Sequence, residues 1–286
     1  MAIQLRPFMF DPSSATWVHD RTAPALVARP ATLTVVTWNT WFAPYAFEPR
    51  FRGLLQVIHA RRPDVICLQE IIPESLEMLL AEPWIRADYR ISDAQGDTLD
   101  GYGVVLLSRL PLRALALHEL PSHMGRRLLA AEVDTGNGIL VIGTAHLESL
   151  KHNRELRAEQ LAEILPLLKA AGADAMLVGD FNFCSSWAAE NANLDPEFID
   201  LWPALRGREP GYTEDTAVNA MLRNVKSSEK MVRFDRVLLR SASGDWRPRS
   251  IELLGTVPVA TGAPDIFPSD HFGLAAVIEP RARAGG

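Results

Sequence analysis

The chain has little cysteine, no long apolar run and no surplus of positive charge, and each shortage narrows what it can be. Only Cys67 and Cys184 occur among 286 residues, so no disulfide framework is available and a reducing compartment is expected. No stretch approaches the roughly 18 apolar residues of a membrane span, and no N-terminal segment joins a charged start to an apolar run of about 7–15 residues. A cytoplasmic protein without a membrane span is the expectation. The net charge of −6 argues against broad, nonspecific adhesion to nucleic acid, so any basic groove has to be local. Internal repeats and low-complexity tracts are also missing, and no protein partner is evident.

What is there suits one catalytic domain. A chain of this length with 48% hydrophobic residues can bury a sizeable core. Residues 1–30 show little periodicity and are broken by Pro7, Pro12, Pro24 and Pro30, so an N-terminal arm is expected there, a domain over 31–280, and a frayed tail over 281–286. Leu33 to Trp38 reads as a buried strand, Phe51, Leu54, Leu55 and Ile58 as a helical stripe, and Val65 to Leu68 as a second strand. Pro73 opens another helix, where its missing N–H costs little. Strand patterns follow at 104–107, 112–117, 128–133 and 139–145, the last two joined by a turn over 135–138. A helix is expected from about Asn153 to Ala171, kinked or broken by Pro166. Further strands are expected at 176–178, 232–239, 250–254 and 272–278, whereas 181–230 lacks a regular pattern, which in so long a segment points to function.

Polar residues stand at the ends of these apolar runs, where strands deliver side chains to the rim of a sheet. Carboxylates, carboxamides and two imidazoles on one rim suit hydrolysis of a phosphate ester assisted by one hard cation. Magnesium takes one or two protein carboxylates and completes its shell with water and phosphate oxygens; Glu70 is the first candidate ligand, with Asn39 beside it. In Gly179-Asp180-Phe181-Asn182, Asp180 can take a proton from water, while Asn182 can hold that water or donate to charge developing on phosphorus. An Asp235 to His271 hydrogen bond would fix the imidazole tautomer and favour its cationic form. His146 is a candidate for binding a non-bridging phosphate oxygen. Each residue also has a plainer reading: Glu70 a solvated carboxylate, Asn39 a turn residue, Asp180 an Asx turn, His146 a structural histidine, Asp270 a loop cap and Asp235 an edge charge.

Thr37-Trp38-Asn39, Leu68-Gln69-Glu70, Gly179-Asp180-Phe181-Asn182, Phe234-Asp235-Arg236 and Ser269-Asp270-His271 closely resemble the endonuclease/exonuclease/phosphatase superfamily. The resemblance implies an α/β fold, a four-layer α/β/β/α sandwich with two facing mixed β-sheets. It also implies Mg2+ or Mn2+ at Glu70, with Asn39 and Asp270 near it, and Asp180 with Asn182 at the attacking water. His146 then serves the phosphate and Asp235 orients His271. It does not decide whether Asp180 or His271 is the base. Within the superfamily the chain is most similar to tyrosyl-DNA phosphodiesterases acting on 5′ ends, through His146 to Ser149, Arg157 with Gln160, Asp200 to Trp202, Gly211 to Thr213, Asp215 with Thr216, and Asn219. Ser149, Arg157, Tyr212 and Asn219 are thereby implied at the substrate, although Arg157 and Gln160, three apart, could equally brace the His146 loop.

Two departures stand out. The family's tryptophan after Tyr212-Thr213 is Glu214 here, and its basic residue after Asn182 is replaced by Phe183-Cys184-Ser185-Ser186. Arg223, Lys226, Lys230, Arg233 and Arg236 could still form a cationic wall, and Tyr212 or Trp187 could stack on a base. The expected activity is metal-dependent phosphodiester hydrolysis at a nucleic-acid 5′ end. The alternatives are the same fold acting on abasic DNA, a phosphoinositide or a phospholipid, and a catalytically silent binding module.

Overall fold

Apolar side chains on both faces of most strands require sheets covered on each side. The computed structural model, which describes residues 2–21, 30–136, 138–226 and 228–281, has two such sheets. The first runs in the order Ala2–Leu5, Leu112–Glu119, Arg127–Asp134, Ile139–His146, Asp174–Asp180, Asp235–Ser241, Ile199–Asp200. The second runs Trp246–Leu254, Gly273–Pro280, Leu33–Asn39, Val65–Ile71, Gly103–Ser108, Arg90–Ile91, Phe8–Asp11, Thr16–His19. Both are mixed: Ile139–His146 lies parallel to Asp174–Asp180, and Leu33–Asn39 to Val65–Ile71, among antiparallel neighbours.

Strand parity divides the core. Leu33, Val35, Leu140, Ile142, Met176, Val178, Val237 and Leu239 meet between the sheets. Val36, Trp38 and Ile66 face outward onto Phe51, Leu54 and Ile58 of the helix Phe47–Arg61, while the helix Pro73–Ala81 adds Leu76 and Leu79. On the far side Val141, Ala175 and Leu177 pack against Leu161, Ile164 and Leu168 of the helix Arg154–Ala171. The result is a four-layer α/β/β/α sandwich.

Some elements differ from what the pattern predicts. Residues 2–19 form three short strands, with Pro7 and Pro12 falling between them: Ala2–Leu5 and Thr16–His19 are sheet edges, and Phe8–Asp11 lies between Thr16–His19 and Arg90–Ile91. Strands of four residues at a sheet margin are held by backbone pairing, so their sequence carries little alternation. Pro24 and residues 282–286 lie outside the described residues. The helix Arg154–Ala171 runs unbroken through Pro166, because Pro166 and Ala162, whose carbonyl loses its partner, both face solvent. The run expected at 232–239 is split: Met231–Val232 pairs with Glu214–Asp215, and Asp235–Ser241 belongs to the first sheet. The amides of Phe234 and Asp235 donate instead to Thr213 Oγ1, which interrupts the ladder. The segment 181–230 is built from short helices, Ala188–Asn191, Leu201–Arg206 and Ala220–Val225, and that small hairpin.

Candidate active site

The inward-facing rows of the core end in polar residues at one rim. Leu33, Val35 and Thr37 lead to Asn39; Leu140, Ile142 and Thr144 to His146; Met176 and Val178 to Asp180; Leu239 and Val237 to Asp235. Register aligns three of them, His146 opposite Asp180 and Asp180 opposite Asp235. Gly179 permits the close approach: it has φ +136°, and a Cβ there would stand 1.9 Å from the Ala145 carbonyl oxygen. Glu70 has the opposite parity to inward-facing Cys67 and Gln69. A bulge between Leu68 and Ile71, with Glu70 at φ +61°, turns its carboxylate to the rim. Below the site, Gln69 Nε2 bridges the sheets, donating to Thr37 Oγ1 and Thr144 Oγ1 at 3.0 Å each.

Asp180 is the hub. Its Oδ2 accepts from Asn39 Nδ2 at 3.0 Å and lies 3.3 Å from His146 Nε2, and its Oδ1 accepts from the Asn182 amide at 2.8 Å. Burial opposes its ionisation, but the imidazoles of His146 and His271 and these donors outweigh burial and hold the pKa below the usual carboxylate range. Asn39 Nδ2 also donates to Glu70 Oε1 at 3.2 Å, and Asn182 Nδ2 to the Leu147 carbonyl at 2.9 Å.

His146 is fixed from behind. Arg126 Nη1, always a donor, sits 2.7 Å from Nδ1, which makes Nδ1 the acceptor and leaves the ring proton on Nε2, facing Asp180. Burial, with Arg126 adding to it, pushes the His146 pKa down to about 3. Because the unfolded chain takes up a proton below its ordinary 6.5 that folded His146 refuses, stability falls as pH drops from 6.5 toward 3. His146→Gln is therefore expected to flatten the fall in melting temperature between neutral pH and about pH 5, where the wild-type histidine forfeits about 2 kcal/mol. An unchanged profile in this variant would contradict a neutral His146.

His271 is held the other way. Its Nδ1 lies 2.7 Å from Asp235 Oδ2 and its Nε2 3.0 Å from Glu214 Oε1, with Asp180 Oδ2 at 3.9 Å. Burial disfavours the cation, yet Asp235, Glu214, Asp270 and Asp180 together raise the pKa well above that of a free imidazole. The proton of the Asp235–His271 pair belongs on the ring. The His271 loop is tied down by Trp38 Nε1 to the His271 carbonyl (2.9 Å) and by Ser269 Oγ to the Asn39 carbonyl (2.7 Å). Glu214 is also paired with Lys230 Nζ; burial opposes, but His271 and Lys230 bring its pKa down to about 2.

Two carboxylates remain for a cation. Burial pushes Asp270 up to about 6, Glu214 and Glu70 adding to it against the pull of His271, and burial likewise raises Glu70. Buried carboxylates that repel one another suit a divalent cation, which removes that penalty. Ligand atoms of Glu214, Asp270 and His271, and of Asp180, Asp235 and His271, also cluster within 4.8 Å; both sets need His271, whose two nitrogens already face carboxylates. Glu70 and Asp270, with Asn39 adjoining Glu70, fit a hard cation better.

A cleft of about 460 Å³ opens over these groups, lined by Asn39, Glu70, His146, Asp180, Asn182, Asp270 and His271, together with Ser149, Lys151, Trp187, Glu214, Lys226 and Lys230. Not every residue expected at the substrate reaches it. Ser149 does, its Oγ accepting from Arg126 Nη2 at 2.7 Å. Tyr212 is half-buried and does not line the cleft. Asn219 is fully buried, capping the helix Ala220–Val225 through Leu222 N (3.0 Å) and donating to the Ser269 carbonyl (2.9 Å); it positions the His271 loop rather than substrate. Arg157 is likewise internal, bonded to Glu190 Oε1 and to the carbonyls of Glu148 and Leu150, each at 2.8 Å. With Gln160 accepting from the Glu148 amide, it braces the chain after His146. Arg157→Met is expected to destabilise the protein by about 3–5 kcal/mol, since Glu190 is left buried without its partner, while KM changes little. Urea unfolding beside steady-state kinetics checks this. Of the expected cationic wall, Arg233 and Arg236 are buried on Asp200, and Arg223 donates to the carbonyls of Thr216 and Ala217. Lys226 and Lys230 alone of the five line the cleft.

The sequence offered no signal for Arg126, a loop residue reaching across to a neighbouring strand. Glu214 registered only as a departure from the family pattern.

Residues 36–271 match the model of the endonuclease/exonuclease/phosphatase family. Tyrosyl-DNA phosphodiesterase 2 of Homo sapiens is 31% identical over 251 residues, covering 84% of this chain and 66% of the human protein. The Xenopus tropicalis protein of that name is 32% identical, covering 79% and 60%. This chain thus spans just under two thirds of the length of these relatives. Among solved structures, D. rerio TDP2 complexed with a single-strand DNA product superposes with a TM-score of 0.74 at 28% identity, over 87% of this chain and 100% of that one. The Staphylococcus aureus beta toxin shares the fold at 17% identity, with a TM-score of 0.68.

Proposed function

The chain belongs to the endonuclease/exonuclease/phosphatase family, and from that membership we propose that it hydrolyses a phosphodiester at a DNA 5′ end, releasing a linked group such as tyrosine. The observation that carries the reading is the convergence of Asn39, His146 and His271 on Asp180 beside the Glu70 and Asp270 carboxylates. The names of its relatives and the DNA product held by the D. rerio structure support the substrate class.

Glu70 and Asp270, with Asn39 adjoining, would hold Mg2+ or Mn2+. Such a cation acts as a Lewis acid on a phosphate oxygen. Asp180, ionised and open to the cleft, takes a proton from the attacking water, and Asn182 orients that water. His271 is already protonated, so it stabilises charge through Nε2 rather than accepting the proton, and Asp235 keeps it in that state. His146, neutral with its proton on Nε2, is a donor toward a non-bridging oxygen. Ser149 lies at the same wall, beside Arg126. Positioning and charge stabilisation are the main contributions. The catalytic unit is residues 31–280, whose sheets are extended laterally by strands within 2–19. No described helix is long and apolar enough to cross a membrane, and the free, buried thiols of Cys67 and Cys184 support a reducing, cytoplasmic setting.

A panel with Mg2+ comparing a 5′-phosphotyrosyl oligonucleotide, abasic duplex DNA and a phosphoinositide tests the proposal. Preferential release of tyrosine is expected. Preference for either other substrate would refute the assignment, and no cleavage of any, with no Mg2+ bound near Glu70, would indicate a silent module.

A further inference from the structure

Resting on the phosphodiesterase reading, a further assignment concerns the Glu214 carboxylate, which lines the cleft. His271 has one nitrogen to offer a phosphate, Nε2, because Nδ1 belongs to Asp235. That nitrogen is already taken by Glu214 Oε1 at 3.0 Å. The other Glu214 oxygen pairs with Lys230, which also lines the cleft. One buried carboxylate thus satisfies two cations that a phosphate in the cleft would otherwise use. Its backbone is set by the hairpin, with Glu214 opposite Val232, and its side chain lines the cleft.

We infer that Glu214 occupies the position of a phosphate oxygen in the free protein, so that substrate must displace it from His271 and Lys230, and that it thereby sets the selectivity between phosphodiester and terminal phosphate. Displacement moves the carboxylate aside but leaves its charge close by. A phosphodiester carries one negative charge, whereas a terminal phosphate carries nearly two at neutral pH. The product is therefore repelled more than the substrate, and Glu214 speeds product release. The lysine and imidazolium cations are needed for binding in either case; the carboxylate tunes which anion they keep.

The test compares Glu214→Gln with wild type. The variant keeps the size and the hydrogen-bonding oxygen but loses the charge. Inorganic phosphate and a 5′-phosphorylated oligonucleotide are expected to bind it about tenfold more tightly, the scale of one charge-assisted hydrogen bond, while KM for the diester falls less. Glu214→Ala should shift in the same direction. In wild-type protein with labelled histidine, NMR should show the His271 Nε2–H resonance moving as inorganic phosphate is added, with and without Mg2+. Unchanged phosphate affinity in both variants, or a His271 resonance indifferent to phosphate, would overturn the inference. So would weakened Mg2+ binding with no gain in phosphate affinity, which would make Glu214 a metal ligand. Phosphate titration needs no turnover, so an absence of cleavage would refute the proposed function without deciding this result.

Discussion

Asp180→Asn protein is expected to fold normally and to lose about 10²–10⁴ of kcat, the range attributed to a positioned proton acceptor. The substitution keeps the shape of the side chain, and its Oδ1 can still accept from the Asn182 amide, a contact of 2.8 Å in wild type. It removes the charge that faces the His271 cation and lies beside the neutral His146 Nε2, and an amide cannot take the proton of water. KM should change far less than kcat, because the proton is transferred only in the transition state. Single-turnover cleavage of a 5′-phosphotyrosyl oligonucleotide at saturating Mg2+ checks this. A loss below tenfold would move the base elsewhere. His271 would be a poor substitute, since it is already cationic through Asp235 and Glu214.

The second large effect concerns the cation. Glu70→Gln should depress kcat/KM by roughly 10³, corresponding to several kcal/mol of transition-state charge stabilisation, and should raise the Mg2+ concentration needed for half-maximal rate. The fold should survive, because the Phe42 amide, 3.1 Å from Glu70 Oε2, can donate equally to a carboxamide oxygen. EDTA should abolish wild-type turnover reversibly. A separate readout is thermal: Mg2+ should raise the melting temperature of wild-type protein more than that of Glu70→Gln, since only a cation bound to the native state stabilises it. Equal shifts in the two proteins would remove Glu70 from the metal site.

Much of this site was legible because the chemistry sits on strand parity. Thr37 and Asn39, Thr144 and His146, and Val178 and Asp180 continue inward-facing rows, so the polar ends of apolar runs mark the rim without any coordinates. Asp235 and His271 were readable as a pair for the same reason, each adjoining a strand that delivers it. The four layers were implied by the family resemblance; strands apolar on both faces with helices between them permit that architecture but do not by themselves require it.

What was not legible depends on contacts across long sequence separations in loops. Arg126 fixes the tautomer of His146 from 20 positions away, and no spacing rule connects them. Glu214 meets Lys230 and His271 only because a short two-stranded ladder, closed over a long connection, pairs Glu214 with Val232. Asn219 has the residue type of a substrate contact, but its cap bond to Leu222 and its bond to Ser269 use both ends of the amide. Arg157 could be read as a ligand or as a brace from its helix spacing; burial with Glu190 decides for the brace. The strands at 2–19 were hidden because four-residue strands at the sheet margins are held by backbone pairing that the side-chain pattern does not record.

The most direct measurement of the central claim is the mass of the products formed when a 5′-phosphotyrosyl oligonucleotide is cleaved in heavy-oxygen water with Mg2+. Attack on phosphorus by water activated at Asp180 predicts one heavy oxygen in the 5′-phosphate and none in the released tyrosine. Label in the tyrosine hydroxyl, or no cleavage by protein that binds Mg2+, would contradict the account.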